Sequence, residues 1–185
     1  RWAAGLAAAG RGGDNPVMIP AAVEEYVVQH REAFLEGLFE LLRYPSVSSQ
    51  PERIGDCRVC AERIAERLSG LGLAAELHPW RDHPVLIART PPRPERPTLL
   101  IYGPYDVQPP EPLEQWTTPP FAPSVRDGAV WARGASDDKG QLFAHLAAAE
   151  AYVRTVGLGV NLIFLAEGEE EIGSPELERF IADHA

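Results

Sequence analysis

Apolar side chains between Ala21 and Arg43 recur three or four residues apart, at Val23, Val27, Phe34, Leu38 and Leu41. That period gathers them on one face of a helix, and Pro45 ends it by driving the preceding residue out of helical geometry. A second helix is predicted over Asp56–Leu71, with Cys57, Cys60, Ile64, Leu68 and Leu71 on its buried face and Gly72 as its terminator. Short β-rich runs then predict strands at Ala74–His78, Val85–Ala88 and Thr98–Tyr102, the last of them buried. The prolines between Pro91 and Pro97 mark a surface turn, and Asp127-Gly128 between alternating residues predicts a hairpin over Ser124–Arg133. An Ala- and Leu-rich helix is predicted over Lys139–Val156, and a central strand covered on both faces over Val160–Ala166. Ser174-Pro175 reads as an N-cap with proline at the first helical position, so a last helix starts there. This order predicts an α/β fold in one domain without internal repeats.

Composition narrows the function. With 185 residues, 45% hydrophobic and 24% charged, the chain can bury a real core. Its formal net charge of -10 and the lack of any basic stripe argue against a nucleic-acid partner and suit a cation. No apolar run has the length of a membrane span, so no membrane partner is expected. Two cysteines make no disulfide framework, which predicts a cytoplasmic protein. Cys57 and Cys60 spell C-x-x-C, a redox pair or half a zinc knuckle in principle. Their helical spacing with Ile64 and Leu68, and the lack of a second pair, favour two buried thiols. Residues 1–17 are rich in Ala, Gly and Arg without periodicity, and Met18 is the only methionine. They are expected to be a non-native or disordered leader with no function.

Three acidic segments carry the candidate chemistry. Asp106 follows the strand Thr98–Tyr102, where it can accept from a backbone N–H, cap a turn or orient a metal ligand. Asp137 and Asp138 stand just before a helix, where the dipole favours carboxylates without any function and where one Asp can also bridge two metal ions. Glu169-Glu170-Glu171 is pinned between a buried strand and a capped helix, with Gly168 and Gly173 allowing tight turns. Adjacent glutamates at such a bend can divide the work, one binding a cation and the other taking a proton from water. No G-x-x-x-x-G-K-[ST] occurs, which removes a nucleoside triphosphatase.

In order, YGPYDVQPPEP, W-T-T-P-P-F-x-P, RDGAVWARGASDDKG and EGEEEIGS resemble the aminoacylase–carnosinase–glutamate carboxypeptidase family of two-metal zinc hydrolases. The YDVQPP run is most similar to its dipeptidase branch, and the resemblance covers Met18 to Ala185. It implies a zinc-exopeptidase-like sheet flanked by helices, with residues 18–185 as the incomplete N-terminal part of the catalytic domain. A lid or dimerisation domain and further ligands would lie in later sequence, and only the full-length protein would be a homodimer. The resemblance makes Asp137 the ligand shared by two metals, Glu171 a ligand to one of them, and Glu170 the general base. Asp106 would orient a histidine two residues earlier, and the Asp137–Asp138 peptide would be cis. The implied cofactor is zinc, two ions, with manganese or cobalt open, and the implied partner is a small peptide substrate, a dipeptide or N-acyl amino acid.

One position departs from that pattern. Where the family has histidine this chain has Pro104, which offers no donor atom. His78, His83 and His145 give no obvious replacement. Two readings therefore stand: part of a metal-dependent amide hydrolase, or a truncated or decayed relative that catalyses nothing.

Overall fold

The computed structural model describes residues 18–79 and 82–184, so the expected leader, 1–17, lies outside the described residues. Helix α1 (Ala21–Gln29) and α2 (Arg31–Arg43) divide what the apolar period predicts as one helix. The break is at His30, whose backbone leaves helical geometry at φ -102 and ψ 14 and whose ring hydrogen-bonds the Tyr26 carbonyl. Before the break only Val23 of α1 is buried, and Val27 is 42% exposed. Helix α3 (Ile54–Gly70) starts two residues earlier than predicted and buries Cys57, Cys60, Ile64 and Leu68 as its apolar face requires. Both thiols are free and buried, in agreement with the structural reading of C-x-x-C.

Strands β1 (Ala74–His78), β2 (Val85–Arg89), β3 (Thr98–Pro104) and β6 (Asn161–Glu167) form one mixed sheet in the order β1-β2-β6-β3. β6 lies inside it, antiparallel to β2 and parallel to β3. Strands β4 (Ser124–Arg126) and β5 (Ala129–Trp131) form the predicted hairpin, closed by Asp127 and Gly128, both at positive φ. Alternation along the strands divides the sheet into two faces. Leu86, Ala88, Leu162, Phe164 and Ala166 join the main core with α3 and α4 (Lys139–Arg154). Val85, Ile87, Ile163 and Leu165 turn the other way, onto Phe180 of α5 (Leu177–His184).

Two expectations need correction. β3 is not buried along its length: among the described residues it is an edge strand, with Leu99 at 50% and Leu100 at 57% exposure, and only Gly103 and Pro104 are covered. α5 begins at Leu177, and Ser174 does not cap it, because its hydroxyl donates to Glu167 instead. No helix among the described residues is long and apolar enough to cross a membrane.

Candidate active site

β3 and β6 run parallel and finish side by side, with Pro104 in register with Glu167. The segments that follow them therefore leave from one end of the sheet, the place where open α/β sheets collect ligand-binding groups. Tyr105 anchors the first. It is fully buried, its N–H donates to the Glu167 carbonyl at 2.8 Å, and its hydroxyl donates to the Pro84 carbonyl at 2.6 Å. A Cβ on Gly168 would stand 2.5 Å from the Tyr105 ring, so the second segment can pass only as glycine.

Asp106, with no exposed surface, accepts the backbone N–H groups of Glu170 at 3.3 Å and Glu171 at 3.1 Å. Burial pushes its carboxyl up to about 6, although the Glu171 N–H pulls the other way. The Glu170–Ile172 segment forms one 3-10 turn ended by Gly173 at φ 89. Glu170 is exposed and Glu171 half-buried. The Glu171 carboxylate accepts from Gln108 Nε2 at 2.7 Å. Desolvation, then the charges of Glu171, Asp137, Glu167 and Asp138, raise the Glu170 carboxyl.

The aspartate segment is held differently. The Asp137–Asp138 peptide is cis, as the resemblance implies. Asp137 is exposed, and Asp138 is raised by burial and by the charge of Asp137. Lys139, fully buried at the start of α4, sends its ammonium to the carbonyls of Leu41 at 2.9 Å and Tyr44 at 2.7 Å. Those carbonyls lie at the C-terminal end of α2, where each also accepts one backbone N–H and the helix dipole welcomes a cation. Gly140 donates its N–H to the Gly134 carbonyl, and a Cβ there would run into the Ala135 carbonyl oxygen.

The structure thus joins Asp106 to Glu170 and Glu171 by hydrogen bonds and links Asp137 to Glu170 by charge. Among the described residues, no histidine stands in for Pro104. His83 is buried in the loop before β2, His145 is exposed on α4, and His78 packs with Phe180 and His184. Asp137 and Glu171 offer oxygen donors of the kind divalent ions accept. Among the described residues, however, no three His, Cys, Asp or Glu form a group able to hold a metal ion. These residues alone do not fit a two-zinc centre. Sequence reasoning did not single out Gln108, Glu167 or Lys139. Only Lys139 left a signal, a cation at a helix N-terminus where the dipole disfavours it.

Residues 100–184 match the model of peptidase family M20/M25/M40. That stretch carries the sequence pattern of this family. A cysteinylglycine-S-conjugate dipeptidase of Corynebacterium striatum is 33% identical over 148 residues, which cover 80% of this chain and 32% of that protein. The crystal structure of human carnosine dipeptidase 1 superposes with a TM-score of 0.80 at 29% identity, covering 86% of this chain and 37% of that one. An M20 family metallo-carboxypeptidase from Sulfolobus solfataricus gives a TM-score of 0.73 at 39% identity, over 80% of this chain and 33% of that one. The chain therefore spans about a third of the length of the relatives it matches.

Proposed function

We propose that this chain carries the carboxylate part of the active site of a peptidase that hydrolyses dipeptides or N-acyl amino acids. The observation that supports this reading is the meeting of three acidic segments at Glu170, whose carboxyl is raised by desolvation and by the charges of Glu171, Asp137, Glu167 and Asp138. A carboxylate so placed takes a proton more readily than one alone in water, which is what a general base needs.

Glu170 accepts a proton from a water molecule as the water oxygen adds to the scissile carbonyl carbon. The same proton passes to the amide nitrogen, the C–N bond breaks, and a carboxylic acid and an amine leave, the acid then giving its proton to the amine. Asp106 acts through the backbone, since accepting the N–H groups of Glu170 and Glu171 fixes where both side chains start. We assign Asp137 and Glu171 to a divalent ion, zinc with manganese or cobalt as alternatives, in a centre whose other donors are not among the described residues. Two free, buried thiols accord with a reducing compartment such as the cytoplasm. A second reading, a non-catalytic relative, draws on Pro104 and on the lack of a three-ligand group among the described residues.

The test uses the full-length protein and a panel that includes Cys-Gly and β-Ala-His. Glu170→Gln is expected to lower kcat about a thousandfold without changing the melting temperature. Equal rates in the two proteins would contradict the assignment, and a wild-type protein inert on the whole panel would favour the second reading.

A further inference from the structure

We infer that Glu167 is a positioning residue that locks the turn carrying Glu170 and Glu171, a role that rests on the hydrolase reading above. Glu167 is the last residue of β6 and is 2% exposed. One of its oxygens, Oε1, accepts two hydroxyls, Tyr102 Oη at 2.6 Å and Ser174 Oγ at 2.6 Å. The first donor stands on the neighbouring strand, two residues before Pro104. The second stands beyond the turn, so a single carboxylate oxygen ties the strand that enters the turn to the residue that leaves it.

The backbone bears the mark of this tie. Ser174 sits at φ 48, a left-handed conformation that residues with a side chain rarely take. Its N–H donates to the Glu169 carbonyl at 2.8 Å while its hydroxyl reaches Glu167. Between these anchors, Asp106 takes the N–H groups of Glu170 and Glu171. Two buried carboxylates thus hold the turn, Asp106 from within and Glu167 across its ends. Neither needs to touch substrate. A short acidic turn would otherwise open under the repulsion of its own glutamates, and the two clamps oppose that opening.

Four variants of the full-length protein test the role. Ser174→Ala and Tyr102→Phe each remove one donor from a partly exposed position. Glu167→Gln keeps a carbonyl oxygen for both hydroxyls, whereas Glu167→Ala removes it. Ser174→Ala is expected to lower kcat about tenfold with KM unchanged, because misplacing a base by a fraction of an ångström affects the reacting geometry more than binding. Amide exchange at Glu170 and Glu171 should quicken about tenfold in Ser174→Ala and Glu167→Ala and stay near wild type in Glu167→Gln. Unchanged exchange in Glu167→Ala, or equal damage from Gln and Ala, would overturn the inference. If the wild-type protein hydrolyses no dipeptide, the hydrolase reading fails, while the exchange measurement still decides whether Glu167 holds the turn.

Discussion

The glutamate turn, residues 167–174, and the aspartate turn, residues 135–140, look alike in sequence, since each is a short acidic stretch with glycine before a helix. They are built on opposite principles. The glutamate turn is held by buried acceptors, Asp106 on two N–H groups and Glu167 on two hydroxyls. The aspartate turn is held by a buried donor, the Lys139 ammonium on two carbonyls of the α2 terminus, and by close packing at Gly140. Each leaves one carboxylate exposed, Glu170 or Asp137. The difference teaches that the acids a reader notices first are the free ends of these turns. What aims them is mostly buried and mostly not acidic side chain meeting acidic side chain.

The contrast can be broken from the aspartate side first. Gly140→Ala drives a Cβ into the Ala135 carbonyl, a backbone atom with no rotamer to escape into. A loss of roughly 3–5 kcal/mol is expected in chemical denaturation. Lys139→Met keeps the length but removes the ammonium from the Leu41 and Tyr44 carbonyls, each left with one backbone N–H. The expected loss is about 2 kcal/mol, moderated because the wild-type protein must bury a charge there.

The glutamate side gives smaller effects. Asp106→Asn retains one carbonyl oxygen for the two N–H groups, and about 1 kcal/mol should be lost. It also carries a pH signature. Burial raises the folded Asp106 carboxyl from 3.8 to about 6, so folding takes up a proton between these values and the contribution of this group falls as pH rises through them. Denaturation midpoints measured from pH 4 to 7 should therefore decline less in Asp106→Asn than in the wild-type protein. An identical pH slope would show that Asp106 is charged at little cost. Gln108→Ala removes only an exposed bond to the Glu171 carboxylate, and its stability change should stay within about 0.5 kcal/mol.

Much of the fold was legible because its elements obey simple periods. The thiol face of α3 follows from its spacing and the ends of β1 from a short β-rich run, and Asp127-Gly128 located the hairpin. The kink at His30 was not legible, since one residue changes direction there through a ring contact with its own preceding turn. Nor was the exposure of β3, because Leu99, Leu100 and Ile101 read like any interior strand and nothing local records the lack of a neighbour among the described residues. Ser174-Pro175 has the pattern of a helix cap, yet a buried glutamate seven residues back competes for the hydroxyl and wins. At the candidate site, Asp106, Asp137, Glu170 and Glu171 could be proposed from motif order. Glu167, Gln108 and Lys139 could not, because their roles depend on partners 65, 63 and 98 residues away.

Position 104 remains the point at which family and chemistry separate. Pro104 stands in register with Glu167, beside the Asp106 loop, where it can donate nothing to the ion proposed for Asp137 and Glu171. The most direct measurement is bound zinc per chain together with Cys-Gly hydrolysis, in the full-length protein with and without Pro104→His. If the three acidic segments form one hydrolytic site that lacks this nitrogen donor, the substitution should raise zinc affinity and kcat/KM together by about tenfold or more. Zinc affinity and hydrolysis both unchanged would contradict that account.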